Sequence, residues 1–205
     1  MGLLGSKGRG RRARFEREAL PHLDALFAGA FRLCHNEAEA SDLVQETLLK
    51  AYAAFDRFEP DTHCKAWMFR IMYNLFVSSR RRQARERRLL SEERADVPGR
   101  DQNEQRPDAH DRMTSRAVQQ ALHELPAEFR AVVVLADLQD LSYREIAEVI
   151  DRPIGTVMSL LHRGRRLLQQ RLLGQAIEHG IVPASGADTS SLEEYRRRKR
   201  MRNED

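Results

Sequence analysis

LSYREIAEVIDRPIGTVMSLLHRGRRLL, residues Leu141–Leu168, spells two short helices joined by a tight corner, the wording of a helix-turn-helix. Ser142 followed three residues later by Glu145 is a capping box, so the first helix starts there. Ile146, Ala147, Val149 and Ile150 form its inner face, with Ala147 small where a second helix must cross closely. Pro153 ends this helix and suits the first turn of the next, where a missing N–H costs nothing. Counting 100° per residue from Val157, Leu161, Gly164 and Leu168 fall within about 40° of it and make the buried stripe. Ser159, His162, Arg163 and Arg166 take the opposite face. Short polar groups suit base edges and guanidinium groups suit phosphates, as a recognition helix requires. The plainer alternative is an amphipathic hairpin with a solvated basic face. Five Arg and no acid between Arg152 and Arg171 weigh against it.

Outward from this stretch, 205 residues at 41% hydrophobic and 32% charged suffice for two compact domains with linkers and not for one large core. The net charge of +4 is segregated: Arg80–Arg94 holds seven Arg against three Glu, and Arg116–Asp151 three basic against seven acidic residues. Polyanion binding is therefore local. No run of 18 apolar residues and no leader pattern is found, which predicts a cytoplasmic chain without membrane insertion. Cys34 and Cys64 lack ligand spacing and read as small buried apolar residues, so neither a metal site nor a cofactor is expected. His22, His35, His110, His123 and His179 stand singly, and no phosphate loop or nucleophile motif argues for an enzyme.

Residues 1–14, rich in Gly and Arg, read as a flexible basic arm. Helical spacing then runs from Phe15 through Leu20, Leu23, Leu26, Phe27, Ala30, Phe31 and Cys34. Asn36 and Glu39 repeat the capping pattern and open a helix to about Phe55. Leu43, Val44, Leu48, Ala51 and Phe55 face inward, and Asp42, Gln45, Glu46 and Lys50 outward. Between Asp61 and Leu90 a further helix carries Cys64, Trp67, Ile71 and Leu75 on one face. Phe69, Tyr73, Phe76 and Arg80 lie nearly opposite. Two apolar faces mean a central helix or aromatics left exposed for use. The Arg run that follows suits single-stranded nucleic acid, whose bases stack on rings while its phosphates are neutralised. Residues 91–115 read as a linker, 116–174 as a second helical domain, and 175–205 as a flexible tail.

EIAEVIDRPIGTVMSLLHRGRRLL resembles the C-terminal region of the extracytoplasmic-function (ECF) sigma factors of RNA polymerase. The common wording there is EIA, a turn, and P-x-GTV-x-SR-L-x-RGR. SDLVQETLLKAY resembles the segment with which that family docks on the clamp helices of the polymerase largest subunit. KAWMFRIMYNLFVSSRRR resembles the segment that opens and reads the −10 promoter element. The likeness covers about Phe15 to Gly174, with motif blocks in the family's order. It implies an all-α fold in which a region 2 bundle (15–90) and a region 4 helix-turn-helix (116–174) are joined by a flexible linker. The function it implies is a non-enzymatic alternative sigma factor that directs promoter recognition, melting and initiation.

The resemblance also implies roles. Asp42, Leu43, Gln45, Glu46 and Thr47 would bind core polymerase, whose beta flap is a further contact. Phe58, Thr62, His63, Cys64, Lys65, Arg70, Tyr73, Asn74, Arg80 and Arg81 would bind the −10 element, with the loop Phe58–Lys65 capturing a flipped nontemplate base. Ser142, Tyr143, Thr156, Ser159, His162, Arg163 and Arg166 would bind the −35 duplex. Two departures stand out: His63 replaces the Asn of the common TNLKAW, and Leu160 replaces an Arg. The wording around ARFEREALPHLD, PIGTVMS and LHRGRR is nearest to actinobacterial redox- and heat-stress members, whose usual partner is a small zinc-binding anti-sigma factor. A stand-alone helical regulator is the main rival reading, and it has no use for the docking segment Asp42–Thr47.

Overall fold

A computed structural model describes residues 3–59, 63–91 and 109–178, and these are helical almost throughout. Helices α1 (Leu3–Ala19), α2 (Leu23–Cys34), α3 (Glu37–Ala54) and α4 (Cys64–Ser91) form the first domain. Helices α5 (Ala109–His123), α6 (Ala127–Val133), α7 (Tyr143–Ile150) and α8 (Ile154–Glu178) form the second.

The expected capping residues start their helices. Asn36 accepts the Glu39 N–H at 2.9 Å, and the complete Ser142–Glu145 capping box opens α7. Two stops have no Gly: His35 (φ 58°) and Asp151 (φ 52°) take left-handed conformations and close α2 and α7. Asp tolerates that region because its short side chain can bond locally. Pro126 caps α6, whose last turn passes into a π-helical stretch, Val134–Leu138.

In the first domain α4 is the central helix, with Met68, Phe69 and Met72 at 0% exposure and Phe76 at 4%. The aromatics on its second face are therefore mostly core. Gly29 of α2 lies where a Cβ would come within 2.7 Å of the Phe69 ring, so only Gly admits this crossing. In the second domain Gly164 plays the same part: a Cβ there would stand 2.9 Å from Val133 and 3.3 Å from the Phe129 carbonyl. Val157 and Leu161 flank it in the buried stripe.

Residues 1–14 depart from the expected flexible arm, since α1 begins at Leu3. The physical reason is that its arginines find partners. Arg11 lies over the Tyr52 ring at 4.8 Å, donates to the Tyr52 carbonyl at 2.6 Å and pairs with Asp56 at 3.2 Å. Arg14 lies over Phe55 at 5.0 Å. Phe15, edge-on to Tyr52 and Phe55 at 5.2 Å each, seats the helix in the core. The expected linker 91–115 is also shorter than read, because α5 begins at Ala109. Helix α8 continues to Glu178, past the expected start of the tail at 175. The rest of linker and tail, 92–108 and 179–205, lies outside the described residues.

The two domains share one apolar cluster. Arg130 of α6, 5% exposed, fastens them. It donates to the Leu33 carbonyl of α2 at 2.7 Å and to the His123 and Leu125 carbonyls at 2.6 and 3.1 Å. These oxygens lie at the C-terminal ends of α2 and α5, where helix dipoles favour a cation and the last carbonyls lack intrahelical donors. Burial pulls the guanidinium down to about 10, with Arg80 adding repulsion.

Candidate polymerase and nucleic-acid interfaces

Helix α3 presents Asp42, Gln45 and Glu46 to solvent, with Glu46 paired to Lys50 at 3.4 Å. Leu43 and Thr47, expected in the same surface, point inward. Leu43 is 9% exposed, and Thr47 is fully buried with its hydroxyl on the Leu43 carbonyl at 2.7 Å. These two support the helix from behind. Leu49, 71% exposed, joins the outer face. The inward-facing reading of Leu48 and Ala51 gave no reason to single it out, though an exposed Leu beside a polar face is a signal in itself.

The candidate −10 residues divide in the same way. Phe58 (4%) and Cys64 (7%) are buried. Phe58 packs on Phe55 and Trp67, with ring centroids 5.7 and 4.9 Å away, and this aromatic stack shapes the loop from below. Thr62 lies outside the described residues. His63, Arg70, Asn74 and Arg81 are exposed, and Lys65, Tyr73 and Arg80 half-buried. Arg80 lies over the Phe76 ring at 5.4 Å. The Cys34 and Cys64 thiols are both pushed up to about 11 by burial, which leaves them poor nucleophiles and poor ligands.

In the second domain Ser159, His162, Arg163 and Arg166 stand exposed along α8, and Thr156 is half-buried with its carbonyl accepting the Ser159 hydroxyl at 2.9 Å. Ser142 and Tyr143 are exposed at the start of α7. Leu160 is half-buried against the core at the border of the stripe. Spacing did not separate the roles of the other arginines. Arg165 chelates Asp137 of the π-helical stretch, which raises its pKa, and Arg171 binds Glu124 at 3.0 Å. Both tie α8 to its own domain, whereas Arg163 and Arg166 stand exposed.

Two candidate DNA residues of the first domain meet the second domain directly. Lys65 donates to the Gln139 carbonyl at 2.6 Å, and His63 pairs with Glu145. Burial alone would raise the Glu145 carboxyl, but the Ser142 hydroxyl and N–H together with His63 hold it below its ordinary value.

The family described as Sigma-70 region 2 matches residues 20–86, and that described as Sigma-70, region 4 matches residues 115–168. The chain is 39% identical to the ECF RNA polymerase sigma factor SigE of Mycolicibacterium smegmatis over 77% of its own length and 61% of that protein's. It is 32% identical to SigW of Bacillus subtilis, over 73% of this chain and 83% of that protein. Among solved structures it resembles the sigma factor RpoE of Bartonella quintana in complex with the anti-sigma factor NepR. The TM-score is 0.66 at 33% identity, covering 78% of this chain and 96% of that one.

Proposed function

Because the chain belongs to the ECF sigma factors of RNA polymerase, we propose that it is an alternative sigma factor that binds core polymerase and carries it to promoters under anti-sigma control. In this reading residues 15–90 bind polymerase and the −10 element, and residues 116–174 bind the −35 element. The family matches over 20–86 and 115–168 support that division. The observation that carries the function is the conjunction of two surfaces in one chain. Asp42, Gln45 and Glu46 are exposed on α3 with no role in the core, and α8 keeps a solvent-open face of Ser159, His162, Arg163 and Arg166. A regulator acting without polymerase needs only the second.

Chemically, each surface does one thing. Arg163 and Arg166 neutralise phosphates of duplex DNA while Ser159 and His162 offer short donors and acceptors to base edges. The loop ending at Lys65 and the face of Tyr73, Arg80 and Arg81 suit a melted strand. The Bartonella relative is held by an anti-sigma factor. The wording of this chain favours a small zinc-binding anti-sigma factor as its partner.

Reconstitution with core polymerase tests the reading. The purified chain should convert core enzyme into one that starts at a defined promoter set, mapped by sequencing transcript 5′ ends. Core enzyme that gains no promoter-specific starts would overturn it.

A further inference from the structure

The first two turns of α8 read IGTVMSLL, residues 154–161, and contain no charged and no amide side chain. Val157 and Leu161 are buried and Thr156 and Leu160 half-buried, which leaves Ile154, Gly155, Met158 and Ser159 facing outward. Met158 is 51% exposed and Ile154 39%, one helical turn apart on the same flank. At Gly155, between them, even a Cβ would meet nothing within 4 Å, so no other element covers this end. Ser159 donates its hydroxyl hydrogen to the Thr156 carbonyl at 2.9 Å and has only lone pairs to offer outward. Guanidinium groups on the helix begin at Arg163, about 14 Å along the axis from Ile154. Arg152, just before the helix, lies in a cleft with Glu148 and Asp151.

We propose that Met158 and Ile154 are specificity-determining residues of the −35 contact and select thymine through its methyl group. This rests on the sigma-factor reading for the element that is bound. A recognition helix in the major groove meets base edges with its N-terminal residues. Guanine and adenine are read there by forked donors and acceptors, which the first two turns of α8 lack. The one apolar group that a base pair presents in that groove is the thymine C5-methyl. Two apolar side chains left in water do nothing for the fold, and against methyl groups they leave water. The flexible thioether of Met158 adapts its shape to such a group. One turn of helix separates the two side chains by about 6 Å, under two base-pair steps of about 3.4 Å, so the two thymines stand within two steps of each other. Ser159, beside Met158, accepts from the amino group of an adenine or a cytosine in the same stretch.

The test uses the full chain bound to core polymerase. A pool of duplex promoter fragments with a randomised upstream element is enriched by binding, and the preferred sequence is then made with deoxyuridine in place of thymine, one position at a time. That exchange removes the methyl group and leaves the base pairing as it was. Wild type should lose about fourfold in affinity at each of two positions, the effect of one buried methyl group. Met158→Ala should bind the thymine duplex about fourfold more weakly and no longer respond to deoxyuridine at one of them, and Ile154→Ala should do the same at the other, because a contact already removed cannot be lost again. Should Met158→Ala melt early, Met158→Gln, of similar length, must lose the same response. A wild type indifferent to deoxyuridine at every position overturns the proposal, and so does a response that survives at both positions in either variant. Variants that keep the wild-type DNA preference and bind core polymerase less well, as a protein-facing pair would, overturn it too. Failure of the chain to bind core polymerase would instead sink the sigma-factor reading, and the same duplex pool offered to the chain alone then decides the methyl contact.

Discussion

Among the described residues Arg130 meets no carboxylate, yet it is among the most buried charges there. Its three carbonyl acceptors are the loose ends of two helices from two domains, so one side chain of the second domain satisfies two carbonyls of its own domain and one of the first. Replacing it by Met keeps the stem and removes the donors. We expect Arg130→Met to cost about 2 to 4 kcal/mol, because buried carbonyls lose a charged donor. Arg130→Lys should recover only part, since an ammonium lacks the planar fork that spans several acceptors. Denaturant unfolding monitored by circular dichroism measures both, and equal stability of wild type and Arg130→Met would remove Arg130 from this role. In the sequence this residue is one Arg inside the apolar run AEFRAVVVL, and nothing local says that its acceptor lies 97 residues away.

Helix α3 separates folding from binding along its two faces. Asp42 and Glu46 are exposed, and the Glu46–Lys50 pair, with both side chains more than half exposed, contributes at most a few tenths of a kcal/mol. Asp42→Ala/Glu46→Ala should therefore leave thermal melting within about 1 °C to 3 °C of wild type while weakening the binding of core polymerase. Normal core binding by a folded variant would defeat the assignment. Helix α8 raises the complementary question at Leu160. Its half-buried position at the stripe border leaves room for an Arg stem to lie along the surface with its head in water. We expect Leu160→Arg to steepen the log-log salt dependence of −35 duplex binding by about 0.9, one phosphate contact. The expected stability loss is below about 1.5 kcal/mol, because only part of the Leu side chain leaves an apolar setting. A marked drop in melting temperature with an unchanged slope would show instead that Leu160 serves packing alone.

At the scale of the whole molecule the closed arrangement should respond to acid. The imidazoles of His35 and His123 stack at 4.6 Å across the domain boundary, and Arg130 approaches His123 Nδ1 at 3.4 Å. Burial first and Arg130 second lower the pKa of both rings. His35 and Arg80 lower that of His123 further, against a smaller opposing pull from Glu124. A lowered imidazole pKa means that separated domains take up protons more readily. The contact is thus fully favoured above about pH 6.5 and weakens as pH falls through the lowered values. Both rings keep much of their surface in water, so the effect is modest. The radius of gyration should rise between about pH 7.5 and pH 5.5, and His35→Asn/His123→Gln should blunt that rise. Asn suits the left-handed backbone at position 35. The His63–Glu145 pair is common to both proteins and cancels in the comparison. An identical response in both would remove the histidines from the interface.

What the sequence determined by itself is what depends on neighbours a few residues apart. The N-cap at Asn36 and the capping box at Ser142, the buried stripe of Val157, Leu161 and Gly164, and the outward set of Asp42, Gln45 and Glu46 all follow from helical periodicity and local hydrogen bonds, and they stand as read. Only the tertiary structure decided which candidates on a helix are supports and which are surface. Leu43, Thr47, Phe58 and Cys64 turn inward because neighbouring helices cover them. The same holds for the order of the N-terminal helix, which depends on Tyr52, Phe55 and Asp56 some forty residues on. It holds also for the meeting of His63 with Glu145 and of Arg130 with Leu33. A hydrogen-bond or ring partner brought in by the packing of another helix leaves no periodic trace in the chain, because the spacing that joins them is set by the fold.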